Sequence, residues 1–149
     1  MPVATQELVE IFVPLGPVDI ALSNLAAKGQ GQGPGQIIKS NEAFDLSIDV
    51  EFQPNPSPFV DFLMSVGLTL EVTYVIEGYG TATEKSLGPV SIKTTDSVYK
   101  YSPTLNAASP ATEGIGPGYY KLAALLTIKG GAIPLAVGSI GEVVFQVYA

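Results

Sequence analysis

The stretch Phe44-Asp45-Leu46-Ser47-Ile48-Asp49-Val50-Glu51-Phe52 decides the fold class, because apolar and polar side chains alternate along it without exception. A period of two residues places the apolar side chains on one face of a β-strand and the polar side chains on the other. Residues 68–77, 119–128 and 143–148 repeat this alternation, and 119–128 is apolar enough to be partly covered on both faces. Weaker strand patterns cover residues 18–24, 87–94 and 98–105.

Glycine and proline separate the predicted strands. The chain has 149 residues, of which 16 are Gly and 12 are Pro, and most of these lie where a positive or fixed φ is useful. Turns are predicted at residues 78–80, 88–89, 114–118, 130–131 and 138–141. No helix links the predicted strands in the way that a parallel sheet requires. The pattern therefore predicts an all-β, antiparallel β-sandwich of about seven to eight strands.

The chain is long enough for one domain, which we expect to span residues 1–149. Residues 37–149 would form the sandwich core. Residues 1–36 would form either the first strand or an N-terminal arm, followed by a flexible Gly/Gln loop at 29–36. The apolar stretches are too short for a transmembrane segment. Residues 142–149 would leave a bare strand edge that could pair with another chain.

The segment 53–66 departs from the strand pattern. Its prolines lead to Ser57 and Pro58, which suit the N-cap and the first position of a short helix. We expect Phe59, Phe62, Leu63 and Val66 to share one face of that helix. Such an apolar segment would either plug its own sandwich or dock into a neighbouring molecule, and the sequence leaves both open.

Two stretches resemble parts of an immunoglobulin-like or fibronectin-type β-sandwich. Residues 37–42 resemble a short edge strand and tight turn before the strand that starts at Phe44. Gly118-Tyr119-Tyr120-Lys121-Leu122 is similar to the start of the sixth strand in that superfamily. The resemblance implies that the Tyr120 hydroxyl bonds to nearby backbone. It implies a fold and transfers no functional residue.

The composition removes much of the usual equipment of catalysis. The chain has no His, Cys, Trp or Arg, so it lacks a group that titrates near neutrality, a thiolate and a guanidinium fork. We therefore expect no catalytic residue, no cofactor, no metal ion and no enzymatic activity. The net charge of −7 argues against nucleic acid as a partner. Residues 1–25 do not resemble a signal peptide, so we expect a cytoplasmic protein, and an assembled or secreted particle stays open.

Two sets of carboxylates could bear a site. Asp45, Asp49 and Glu51 share one face of a predicted strand, where a calcium site would need converging oxygen ligands, and a solvated acidic face is favoured. Glu71 and Glu77, or either one with Asp61, could form the acid and base of a glycosidase if they faced one cleft.

The remaining composition favours association. Only 14% of the residues are charged, which leaves apolar surface that a partner or a second copy could cover. The function predicted is that of a structural or protein-interaction module, self-associating or part of a larger assembly. A small-ligand or carbohydrate-binding module is the alternative, and a carboxylate-pair hydrolase comes third. The candidate interface residues are Phe59, Phe62, Leu63, Met64, Tyr79, Tyr119 and Tyr148.

Overall fold

The computed structural model describes residues 7–13, 16–31, 36–80 and 83–149, with side chains from Val18 onward. Within these ranges it contains ten strands and one helix. In chain order they are β1 (Glu7–Val13), β2 (Gly16–Gly29), β3 (Ile37–Lys39), β4 (Phe44–Gln53), α1 (Pro58–Val66), β5 (Thr69–Gly78), β6 (Glu84–Lys93), β7 (Lys100–Tyr101), β8 (Thr104–Ala107), β9 (Gly118–Gly130) and β10 (Ile133–Tyr148).

The strands form two sheets that curl around one core as a half-barrel. The first sheet has the order β1-β2-β4, and β7 and β8 pair with opposite halves of β4. The second sheet has the order β3-β10-β9-β5-β6. Every pairing is antiparallel except that of β3 with β10, which is parallel. The predicted all-β class is confirmed in its coarse form.

The alternation along β4 explains the position of the core. All five apolar side chains from Phe44 to Phe52 are fully buried, whereas the polar residues between them are half-buried. On the second sheet, the inward rows of β5 and β9 face the same cluster. Full burial of one such side chain stabilises the fold by about 1.5–3 kcal/mol. The period of two in the sequence thus specifies which face of each strand enters the core.

The strand count exceeds the predicted seven to eight for two physical reasons. The pattern at 98–105 is divided into β7 and β8 around Pro103, whose missing N–H cannot continue the ladder to β4. The N-terminal region adds a hairpin, β1 with β2, in place of one strand or an arm. Residues 18–24 fall within β2, whose Val18, Ile20 and Leu22 are buried, so this part is packed. Of the predicted Gly/Gln loop, residues 32–35 lie outside the described residues.

The chain crosses residues 138–141 as a strand, so the turn predicted there is wrong. Ile140 is 1% exposed and holds this part of β10 against the core. The pairing of β10 with β9 shifts register between Gly141 and Val143, so Glu142 is the extra residue of a bulge and the strand continues past Gly141. Within residues 142–149, Gln146–Tyr148 are not a bare edge, because they pair with β3 on the side opposite β9.

Candidate interaction surface

Helix α1 begins and ends where its capping residues dictate. Ser57 is the N-cap, and its hydroxyl accepts from the Val60 backbone N–H at 3.4 Å. Pro58 occupies the first turn, as the sequence predicts. Gly67 follows the helix with φ of 88°, a left-handed conformation that favours glycine.

Polar contacts from the segment 94–101 hold α1 to its own domain. The Thr94 hydroxyl accepts from the Leu68 N–H at 2.8 Å and donates to the Met64 carbonyl at 3.0 Å. The Tyr99 hydroxyl lies 2.6 Å from Asp61 Oδ1 and accepts from the Ser57 N–H at 2.9 Å. Burial, and the neighbouring Asp61 carboxylate, raise the pKa of Tyr99 above its ordinary value.

The helix turns a different face to the core from the one predicted. Phe59 is half-buried, whereas Phe62 and Val66 are 52% and 58% exposed, so the expected shared face of Phe59, Phe62, Leu63 and Val66 is wrong. The buried side chains are Val60, Leu63 and Met64. These positions form one stripe at helical spacing, and the contact between Asp61 and Tyr99 fixes the rotation. The segment plugs its own core, which leaves Leu63 and Met64 unavailable to a partner.

The second sheet brings the three tyrosines among the candidate interface residues to one end of its outer face. Tyr119 is 58% exposed, Tyr79 is 50% exposed and Tyr148 is 40% exposed. Backbone pairing extends from β5 to place Tyr79 beside Tyr119. The Lys121 ammonium lies 5.6 Å from the centroid of the Tyr79 ring, within cation–π range. Exposed tyrosine on a rigid strand is common interface material.

The centre of this outer face is apolar and uncovered. Leu125 on β9 is 49% exposed and Val137 on β10 is 69% exposed. They flank an open depression of about 450 Å³ that is also lined by Thr127, Gly138 and Ser139. Val144 is 39% exposed farther along β10. We call the outward-facing side chains of β6, β5, β9 and β10, with Ile37 and Tyr79, the outer face.

Ion pairs border the apolar centre at both ends. The Lys121 ammonium lies 3.3 Å from the Glu77 carboxylate and 3.6 Å from that of Glu142. The hydrogen bond to Glu77 and the charges of both carboxylates raise the pKa of Lys121. At the other end, Lys129 lies 3.0 Å from Glu71. An apolar centre bordered by charged and polar groups is the usual anatomy of a protein–protein interface.

The first sheet has a polar outer face, which sets the second sheet apart. Asp49 accepts hydrogen bonds from Asn24 at 2.7 Å and Ser102 at 2.6 Å, and Lys100 lies 3.6 Å away. Partial burial acts to raise the pKa of Asp49, but these hydrogen bonds and the Lys100 charge outweigh it, so the pKa is lowered. Asp45 accepts from Gln30 at 3.0 Å. In the described part of the chain, no three acidic residues converge as metal ligands would.

The proposed glycosidase carboxylates do not meet. Glu71 and Glu77 are each paired with a different lysine, six residues apart on one strand, and Asp61 contacts Tyr99. Six residues of extended strand span about 20 Å, so this distance separates the Glu71 and Glu77 carboxylates. Asp19 and Glu51 do line one open depression on the first sheet, together with Gln53, Pro54 and Asn55.

Sequence reasoning missed Leu125, Val137 and Val144 as candidate interface residues. The signal that could have identified the first of them is the apolar character of residues 119–128 on both faces. Val137 and Val144 required knowledge that β10 runs through residues 138–141 beside β9.

The described residues also contain no helix that is both long and apolar enough to cross a membrane.

No protein-family model and no curated protein sequence matches the chain. Solved structures with a similar backbone include the following two. One is the alkylpurine DNA glycosylase AlkC of Pseudomonas fluorescens bound to DNA with an abasic-site analogue, with 16% identity and a TM-score of 0.49 over 87% of this chain. The chain spans 30% of that protein's length. The other is the ApaA protein of Bordetella pertussis, with 11% identity and a TM-score of 0.46 over 87% of this chain and 94% of the other.

These comparisons correct two expectations. The resemblance to immunoglobulin-like sandwiches is not supported, because no family model matches the chain and the two structures reported above are a DNA glycosylase and ApaA. The local hydrogen bond that it implied is present, since the Tyr120 hydroxyl donates to the Gly116 carbonyl at 2.6 Å, but one such bond does not identify a superfamily. The expectation that the chain is not an enzyme is not supported either, since one of the two structures is that of a DNA glycosylase. At these identities the likeness assigns no activity to this chain.

Proposed function

We propose that this chain is a structural or protein-interaction module that associates with copies of itself through the outer face of the second sheet. One observation supports this most directly. Of the eleven large apolar or aromatic side chains that are exposed among the described residues, seven belong to the outer face. They are Ile37, Tyr79, Tyr119, Leu125, Val137, Val144 and Tyr148.

The distribution of these side chains matters more than their number. Single exposed apolar residues are normal on a protein surface, whereas a contiguous set inside a polar rim is typical of a binding surface. Covering the exposed part of Leu125 or of Val137 would contribute about 1 kcal/mol each. The polar outer face of the first sheet, on the same molecule, offers no comparable gain.

Helix α1 supplies a smaller second contact. Phe62 and Val66 are one helical turn apart and both exposed, so they form a neighbouring pair on the surface. Of the predicted interface residues in segment 53–66, Phe62 is exposed, Phe59 is half-buried, and Leu63 and Met64 are buried. We expect Phe62 to modulate association, with the outer face providing most of the affinity.

The charges of the molecule are consistent with the absence of nucleic acid among its partners. The net charge is −7. Two lysines of the outer face, Lys121 and Lys129, form ion pairs with carboxylates. Phosphate contacts would have to break these pairs. A cytoplasmic location stays a prediction.

Light scattering over a concentration series tests the proposed function. We expect the mean molar mass to rise from that of one chain toward a defined multiple as the concentration increases into the high micromolar range. A constant monomer mass over the whole series would overturn the proposal. A control with Phe62 and Val66 both changed to Ser should still associate, because the outer face is intact.

A further inference from the structure

We infer that the partner of the outer face is a second copy of this chain, packed face to face with its strands antiparallel to the first. The two-fold axis would pass near Leu125. This inference rests on the proposed function, since it specifies the number of copies and the geometry with which they meet at that same surface. It is argued from the distribution of charge, the position of Leu125 and the size of the face.

The two ends of the outer face carry opposite net charge among the described side chains. At one end, Glu77 and Glu142 pair with Lys121 and Glu84 lies beside Glu77, so there are three carboxylates and one lysine. Glu84 belongs to this group because it lies directly opposite Glu77 in the pairing of β6 with β5. We call this the acidic end. Lys39 also faces outward beyond it, about 14 Å from Val144 along the strands, farther than charges interact strongly at physiological salt.

The opposite end is basic. Lys93 lies opposite Thr69 on β5, and Thr69 lies opposite Lys129 on β9. Two lysines there stand against Glu71 alone. If two copies stacked with parallel strands, acidic would meet acidic and basic would meet basic. Antiparallel stacking brings the acidic end of each copy over the basic end of the other, and complementary charge of this kind sets orientation.

Leu125 lies at the midpoint between the two charged ends. It is four residues from Lys121 and four from Lys129, which is about 14 Å in each direction along β9. A two-fold axis through this position would place the acidic end of each copy over the basic end of the other. It would also bring the Leu125 side chains of both copies together. The depression between Leu125 and Val137 is lined by the small residues Gly138 and Ser139. The Leu125 side chain of each copy could therefore enter the depression of the other copy.

The size of the face suits a stable dimer. Strands β6, β5, β9 and β10 are about 4.8 Å apart, and the stretch from Tyr119 to Lys129 is about 34 Å long. The face therefore covers about 650 Å² in projection, close to the roughly 800 Å² that each partner buries in a standard interface. Sheets that pack in this way lie about 10 Å apart.

Thiol cross-linking tests this geometry cleanly, because the natural chain has no cysteine. Single variants Leu125→Cys, Tyr119→Cys and Asn106→Cys would each be treated with a short bismaleimide, which spans the separation of packed sheets that a direct disulfide does not. Asn106 is exposed on the first sheet and serves as the control. We expect a cross-linked dimer from Leu125→Cys alone. Tyr119→Cys should stay monomeric on a denaturing gel, because antiparallel stacking places the two copies of residue 119 at opposite ends.

Each other outcome overturns a specific part of the inference. Dimers from both Leu125→Cys and Tyr119→Cys would mean that the strands stack in parallel. Dimers from Asn106→Cys alone would move the contact to the first sheet. If light scattering shows association of all three variants but none of them cross-links, the outer face is not the contact, and only the self-association part of the proposed function stands. If none of them associates, the proposed function itself fails.

Discussion

Replacing Met64 by alanine separates the two roles that helix α1 could have. Met64 is fully buried, its carbonyl accepts from the Thr94 hydroxyl, and its sulfur lies 3.5 Å from the Tyr101 hydroxyl. Truncation of such a side chain removes buried methylene groups and leaves a cavity, which costs about 2–5 kcal/mol. At about 2–4 °C per kcal/mol for a chain of this size, the melting temperature should fall by about 4–20 °C.

The matched control is Phe62→Ala on the same helix. Phe62 is 52% exposed, so its truncation should change the free energy of unfolding by no more than about 0.5 kcal/mol. Urea denaturation followed by circular dichroism measures both variants against the natural chain. If Phe62→Ala lowered the stability by several kcal/mol while Met64→Ala left it unchanged, the assignment of the buried and exposed faces of α1 would be refuted.

Two further predictions concern polar groups. Thr94→Val should lower the stability by about 1–3 kcal/mol in the same urea assay, because it leaves the Leu68 N–H and the Met64 carbonyl without their shared partner, and Thr94→Ser should recover most of the loss. Burial raises the pKa of Tyr74 and Tyr101, so the unfolded chain releases these protons first, near pH 10, and stability should fall as the pH rises above that value. A melting temperature that stays constant from pH 9 to pH 12 would contradict this assignment.

Much of the fold could be predicted because burial leaves a direct trace in the strands. The alternation in β4, β5 and β9 matches the buried rows residue by residue. The N-cap at Ser57 could be predicted as well, since capping depends on local chemistry. What could not be predicted depends on tertiary contacts. The Asp61–Tyr99 contact that accompanies the rotation of α1 joins residues 38 positions apart.

The candidate site illustrates the same limit. Tyr79, Tyr119 and Tyr148 could be selected from the sequence as interface material, but their meeting at one end of one sheet depends on the strand order. Whether Leu125 is covered or exposed depends on what packs against the outer side of β9. The sequence pattern of β9 would be the same in either case. The wrong turn at 138–141 had a comparable cause, since two glycines outweighed the one buried isoleucine that keeps β10 continuous.

Sedimentation equilibrium of the natural chain beside Leu125→Lys tests the central claim most directly. A lysine at residue 125 would place an unpaired charge in the middle of the outer face without disturbing the core, because that side chain points away from it. We predict that the natural chain associates, that Leu125→Lys is monomeric with a nearly unchanged melting temperature, and that the control Asn106→Lys associates as the natural chain does. Association of Leu125→Lys with unaltered affinity would contradict the claim that the outer face of the second sheet joins the copies.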